Sequence, residues 1–180
     1  MICKKLVSCV EKTVKGQISD QCDNVQEMCV ISSDDRLYVR CEEKKKKYTL
    51  VNTQKRRVVS YRMDGGIVYM DADVPEQTAR CDYLYVISGG KPRAVLTELK
   101  GVDVKKAMKQ INNTLDLFDD FFQKCSNVYG RIIVTSSIPR LRATSEYVKL
   151  QKKLENSYKG NLKIGERQLA EKDIELDKKK

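Results

Sequence analysis

Residues 82–100 read DYLYVISGGKPRAVLTELK. Two runs rich in β-branched and aromatic residues, 82–87 and 93–100, flank Ser88-Gly89-Gly90-Lys91-Pro92. This is the pattern of two strands joined by a turn. Both arms are apolar at consecutive positions, so both faces are covered and the pair belongs at the centre of a sheet. Closing the hairpin symmetrically about Gly90 sets Asp82 opposite Glu98, and opposed residues have Cβ atoms about 4.5–5.5 Å apart. Residues two apart share a face, so Lys100 stands beside Glu98. One face then gathers two carboxylates and one ammonium at the end of a strand pair.

Working outward, 36–40 alternates as a strand does, and 47–52 and 57–63 are β-branched and aromatic. Asp64-Gly65-Gly66 is a turn signal, followed by the apolar run 67–70. On the other side Gly101 ends the hairpin and Asp103 is placed to cap a helix. Val104, Met108, Ile111, Leu115, Phe118 and Phe122 recur at steps of three and four, which predicts one apolar stripe on a helix of about five turns. A strand is expected at 131–135 and a second helix over 143–158, with Tyr147, Leu150 and Leu154 on one face. Residues 5–30 are weakly helical, with Ser19 or Asp20 as the cap of a short helix through Glu27. Strand, strand, strand, helix, strand, helix is an α/β pattern. The 180 residues suggest one domain over 1–180, its core at roughly 57–160, with a flexible basic tail at 172–180.

The composition narrows the chemistry. There is no histidine, which removes Cys/His zinc sites and the Ser/His and Cys/His nucleophile systems. Hydrolysis by this chain must use carboxylates, lysine or a metal ion. The seven cysteines, Cys3, Cys9, Cys22, Cys29, Cys41, Cys81 and Cys125, have no zinc-knuckle spacing and an odd count. They are expected to be reduced and to pack as small hydrophobes in the cytoplasm. No apolar run suits a membrane span or a secretory signal, so no membrane partner is expected. The net charge is +10, and residues 44–57 hold seven basic side chains and no acid. A second basic stretch runs over 140–159, and 178–180 are lysines. Such a surface favours a polyanion through counterion release, although a lysine run also serves as a solvated face.

Asp82 and Glu98 stand side by side on otherwise apolar strands. Their mutual repulsion is relieved by a divalent cation between them. Mg²⁺ takes one or two carboxylates and completes its shell with water and phosphate oxygen. An ion so held activates water and stabilises the charge of a phosphodiester transition state. Lys100 is placed to orient the attacking water or to neutralise the same charge. The plainer alternative is a cross-strand salt bridge at a sheet edge.

Asp82, followed by Glu98-Leu99-Lys100 on the next strand, resembles the PD-(D/E)XK nuclease superfamily. The resemblance covers roughly residues 57–135. It implies a restriction-endonuclease-like αβββαβ core, a central mixed sheet flanked by helices. It also implies metal ligation by Asp82, Glu98 and the backbone carbonyl of Leu99, with Lys100 catalytic. Many members carry a polar residue on the following helix, which here is Gln110, and in some a first-helix glutamate assists, here Glu27. Asp64, at a strand end before the hairpin, is a minor candidate. Cys81 stands where the family motif has Pro, and Gln110 is followed four residues on by Thr114 rather than Tyr. The second departure argues against the RecB-like branch.

The expectation is therefore a Mg²⁺- or Mn²⁺-dependent nuclease acting on phosphodiester bonds, in DNA rather than RNA, and serving in defence against foreign DNA or in repair. Specificity would come from a homodimer or a partner protein. The alternatives are an RNase on the same centre and a non-catalytic nucleic-acid-binding or scaffolding module on the same fold.

Overall fold

In a computed structural model of the chain, residues 9–12, 15, 29–67, 80–136 and 139–178 are described. The strands are β1 (Val30–Asp34), β2 (Tyr38–Glu43), β3 (Lys46–Val51), β4 (Val58–Arg62), β5 (Tyr83–Ile87), β6 (Arg93–Leu99), β7 (Asn127–Val134), β8 (Leu162–Glu166) and β9 (Gln168–Lys172). Residues 9–12 are helical, and the further helices among the described residues are α1 (Val104–Leu117), the single turn α2 (Asp119–Phe122) and α3 (Ser145–Tyr158). Six strands form a mixed sheet in the order β1-β4-β5-β6-β7-β8, and three form a second sheet, β2-β3-β9. The class is α/β. No helix among the described residues is long and apolar enough to cross a membrane.

The β5–β6 hairpin sits in the middle of the large sheet, as its two-sided apolar pattern requires. Its register pairs Tyr83 with Thr97 and Ile87 with Arg93, so the ladder extended by one residue brings Asp82 to Glu98. Strand β6 continues through α1 into the parallel strand β7. Alternation along β6 then divides the core. Ala94 and Leu96 face α1, α3 and the larger apolar cluster. Val95 and Leu99 face the smaller cluster, which the three-stranded sheet covers.

The second sheet is tied to the first by a buried ion network. Arg131 on β7 is fully buried and pairs with Glu171 on β9. Its guanidinium also donates to the carbonyl of Gly130 at 2.8 Å and to Asn161 Oδ1 at 2.9 Å. Lys163 and the Tyr48 hydroxyl complete the shell of Glu171, at 2.9 and 3.0 Å.

The structure corrects the sequence expectations in several places. The five-turn helix breaks at Phe118, where φ is −124°. The break lets Phe118, Phe121 and Phe122 all reach the core. Strand β7 begins at Asn127, not 131, and runs through Gly130. There a Cβ would lie 3.0 Å from Leu162 and 3.1 Å from Leu154, so the glycine serves close packing rather than ending the strand. The strand expected at 36–40 is β2, shifted toward the C-terminus. The helix expected from 143 is a 3₁₀ turn, Leu141–Ala143, followed by α3. Strands β1, β8 and β9 lie where the sequence pattern predicts none.

The expected tail at 172–180 is also corrected. Asp173 and Leu176 are fully buried. Asp173 accepts from the backbone N–H groups of Thr53 and Gln54, both at 3.1 Å. Tyr129 donates to Asp177 at 2.6 Å. The packed structure thus extends well beyond 57–160 in both directions. The run 68–70 and the helix expected to end at Glu27 lie outside the described residues.

Candidate active site

Asp82 is the residue just before β5, and three elements fix it. Just after β4, the N–H of Met63 donates to the Asp82 carbonyl at 2.9 Å. From β6, the N–H of Leu99 donates to Asp82 Oδ2 at 2.8 Å. From α1, Gln110 donates through Nε2 to the Arg80 carbonyl at 2.7 Å, and Thr114 Oγ1 accepts from the N–H of Cys81 at 2.9 Å. Helix α1 therefore clamps the two residues that precede the aspartate. Its own start is set by Asp103, which accepts from the N–H of Lys106 at 2.9 Å, the cap expected from the sequence.

Glu98, on β6, is fully buried. Neither carboxylate oxygen accepts a well-aligned hydrogen bond from the described residues, although the Asp82 N–H and the Lys100 ammonium lie near enough to act on it. The closest opposite charge is Lys100, whose Nζ is 3.4 Å from Oε1 and whose side chain is three-quarters buried. A buried acceptor left without a partner costs about 1–3 kcal/mol, and a charged one more.

The titration of the pair follows from this burial. Loss of solvent pushes the Asp82 carboxyl up to about 6. The Leu99 N–H and the Lys100 charge pull it down, while Glu43 and Asp64 push it up. Glu98 is pushed further, to about 8, first by burial and then by the charge of Asp82. Lys100 and the backbone N–H of Asp82 oppose this without offsetting it. Each acid is thus protonated more readily in the fold than outside it, which is the response of carboxylates held together with too few counter-charges.

The structure brings together Asp82, Glu98 and Lys100, with the Leu99 peptide between them. Gln110 is buried on α1 but reaches the backbone at Arg80, so it acts on Asp82 through the chain rather than as an acid or base. Its Oε1 has no partner among the described residues. Asp64 is engaged by Arg80 Nε at 2.7 Å. Glu27 lies outside the described residues. The sequence reading missed Glu43, the last residue of β2, whose charge acts on Asp82 across the gap between the sheets. No local signal marks it, because its approach depends on how the second sheet docks.

Among the described residues no group of three or more Cys, Asp or Glu is arranged to hold a metal ion. The donor set on hand is two carboxylates, of which Glu98 has both oxygens unpartnered and Asp82 has one engaged. That set fits Mg²⁺ or Mn²⁺, which accept few protein ligands and fill their shell with water and phosphate oxygen. A groove of about 770 Å³, lined in part by Arg140, Arg142, Tyr147 and Lys163, is separate from the carboxylates.

Comparison with models of known protein families, with curated proteins and with solved structures returns no match for this chain.

Proposed function

We propose that this chain is a metal-dependent nuclease with the chemistry of the PD-(D/E)XK superfamily, and that DNA is its substrate. The observation that carries the reading is Glu98, a fully buried carboxylate with no well-aligned hydrogen bond among the described residues, beside Asp82 and facing Lys100. A carboxylate needed only for a salt bridge gains nothing from such burial, whereas a cation ligand gains from having its lone pairs free. The succession of β4, β5, β6, α1 and β7 follows the βββαβ part of the superfamily core, which supports the same reading.

A divalent cation, when bound, supplies Lewis-acid stabilisation and a more acidic water. Asp82 and Glu98 are the residues that would hold it, with the Leu99 carbonyl as the further ligand that the family resemblance implies. Their upward-shifted carboxyls would be ionised at neutral pH with a cation between them. The Leu99 N–H orients Asp82. Lys100 places its ammonium beside the scissile phosphate, to orient water and neutralise developing charge. Gln110 and Thr114 hold the Arg80–Cys81 backbone so that Asp82 does not drift.

The test is digestion of circular and linear DNA, and of RNA, with Mg²⁺, Mn²⁺ or EDTA. Circular DNA cut in a metal-dependent way supports an endonuclease, and cleavage confined to RNA moves the reading to an RNase. Binding without cleavage under every condition overturns it in favour of a non-catalytic nucleic-acid-binding module. A calorimetric titration with Mn²⁺ separates the metal from the chemistry, because Asp82→Asn should abolish most of the binding.

A further inference from the structure

Among the described residues six non-glycine residues have left-handed backbone: Lys44, Lys45, Lys55, Arg140, Lys159 and Arg167. All six are basic. Lys and Arg are 35 of the 180 residues, so chance would place a basic side chain at about one of the six, and Asn, Asp and Gly are the usual occupants of such positions. Lys44 and Lys45 form the two-residue turn of the β2–β3 hairpin, with φ of 46° and 67°. Both central residues of such a turn need positive φ, for which Asn-Gly is the favoured pair. Two lysines there are a local strain, and strain of this kind accumulates where function holds it in place.

The strand directions put this turn at the site. Glu43 precedes it and acts on Asp82. On its other side the N–H of Lys47 donates to the Arg167 carbonyl at 2.9 Å, and the N–H of Arg167 to the Val134 carbonyl at 2.7 Å. The N–H of Lys100 donates to the carbonyl of Ile133, next to Val134. One line of backbone hydrogen bonds thus joins Lys100, the end of β7, the Arg167 corner and the hairpin tip. Lys44, Lys45 and Arg167 are exposed. Among the described residues Lys44 pairs with the half-exposed Glu43, at 3.6 Å, a pairing that phosphate readily replaces. Lys55, between β3 and β4, and Lys159, beside Asn127 at the start of β7, lie at the opposite end of the strands.

We propose that Lys44 and Lys45, with Arg167, form a clamp for the phosphodiester backbone at the carboxylate end of the sheets, and that the three-stranded sheet exists to carry it. The proposal rests on the nuclease reading for the identity of the polyanion, and it makes the second sheet a substrate platform as well as a cover for the core.

The experiment compares wild type with two double variants that lose equal charge, Lys44→Asn/Lys45→Gly at the tip and Lys55→Asn/Lys159→Asn at the far end. Affinity for a fluorescent 20-base-pair DNA duplex, for its single strand and for the matching RNA duplex is measured over a range of salt. The tip variant should flatten the slope of log affinity against log salt by about 2, since each phosphate no longer neutralised removes roughly 0.9. It should also melt about 2–4 °C higher, since a favoured turn pair replaces a strained one. The far-end variant should keep the wild-type slope. Equal slopes in the two variants, or no change in the tip variant, overturn the clamp and leave the carboxylate site standing. Wild type that binds none of the three probes overturns both the clamp and the nucleic-acid reading.

Discussion

Two buried glutamates lie on opposite faces of the six-stranded sheet and are treated in opposite ways. Glu171 faces a guanidinium, an ammonium and a tyrosine hydroxyl, and both of its oxygens are used. Burial alone would raise its carboxyl, but Arg131 and Lys163 outweigh burial and hold it below the ordinary value. Among the described residues Glu98 has one lysine at 3.4 Å and no well-aligned hydrogen bond, and burial raises it to about 8. Arg131–Glu171 is a finished structural joint between the two sheets. Asp82–Glu98 has no comparable set of partners among the described residues, and burial raises both carboxyls instead of lowering them.

The contrast breaks most sharply at Arg131. Replacing it by Met leaves the buried Glu171 with only Lys163 and Tyr48, and Asn161 Oδ1 without its donor. The expected loss is about 3–5 kcal/mol, read as a lower urea midpoint. A further Glu171→Leu change should recover much of it, and a loss under about 1 kcal/mol in the single variant would mean the network does not join the sheets.

Next in size is metal. Mn²⁺ at about a hundred times its Kd should stabilise wild type by about 2.7 kcal/mol and leave Asp82→Asn nearly unmoved. A melting temperature that does not respond to Mn²⁺ would make the Asp82–Glu98 pair a structural feature like Glu171.

Glu98→Gln sharpens the comparison through pH. The folded carboxyl titrates near 8 and the unfolded one near 4.5, so the native state holds the extra proton between those values. Wild-type stability should therefore fall as pH rises across that window, and level off above it. Glu171 has the opposite sign, since its depressed carboxyl stabilises the fold at neutral pH and loses that effect on acidification. Without metal, Glu98→Gln should be more stable than wild type at about pH 8.5, by about 1–3 kcal/mol, and similar at about pH 5. Thermal melts at the two pH values decide it, and equal differences at both would show that Glu98 does not titrate in this range.

The smallest stability effect belongs to Lys100→Ala. Without metal Glu98 already holds a proton at neutral pH with the lysine present, and the lysine stem is at the strand end, so melting should barely move. Cleavage should drop by about a hundredfold or more. Equal cleavage by the variant and wild type would remove Lys100 from the chemistry.

The centre of the molecule is legible in the sequence because its signals are local. The two-sided apolar arms of 82–100 specify a central hairpin, and the turn around Gly90 specifies its register, so Asp82, Glu98 and Lys100 fall together in the pattern as they do in space. Asp103 reads as a cap and is one. The edges are not legible. Strands β8 and β9 have no clean alternation, and β9 is a strand because it lies beside β3. Leu176 and Asp173 sit among charges in sequence and give no sign that Thr53, Gln54 and the β7 side chains are waiting for them.

By itself the sequence determined the α/β class, the central hairpin and the identity of the paired acids, because hydrophobic period and turn chemistry act over a few residues. The tertiary structure alone decided the docking of the second sheet, the full burial of Glu98, the reach of Gln110 to the Arg80 backbone and the approach of Glu43. Each of these depends on desolvation and on contacts between residues tens of positions apart, which the local pattern does not encode.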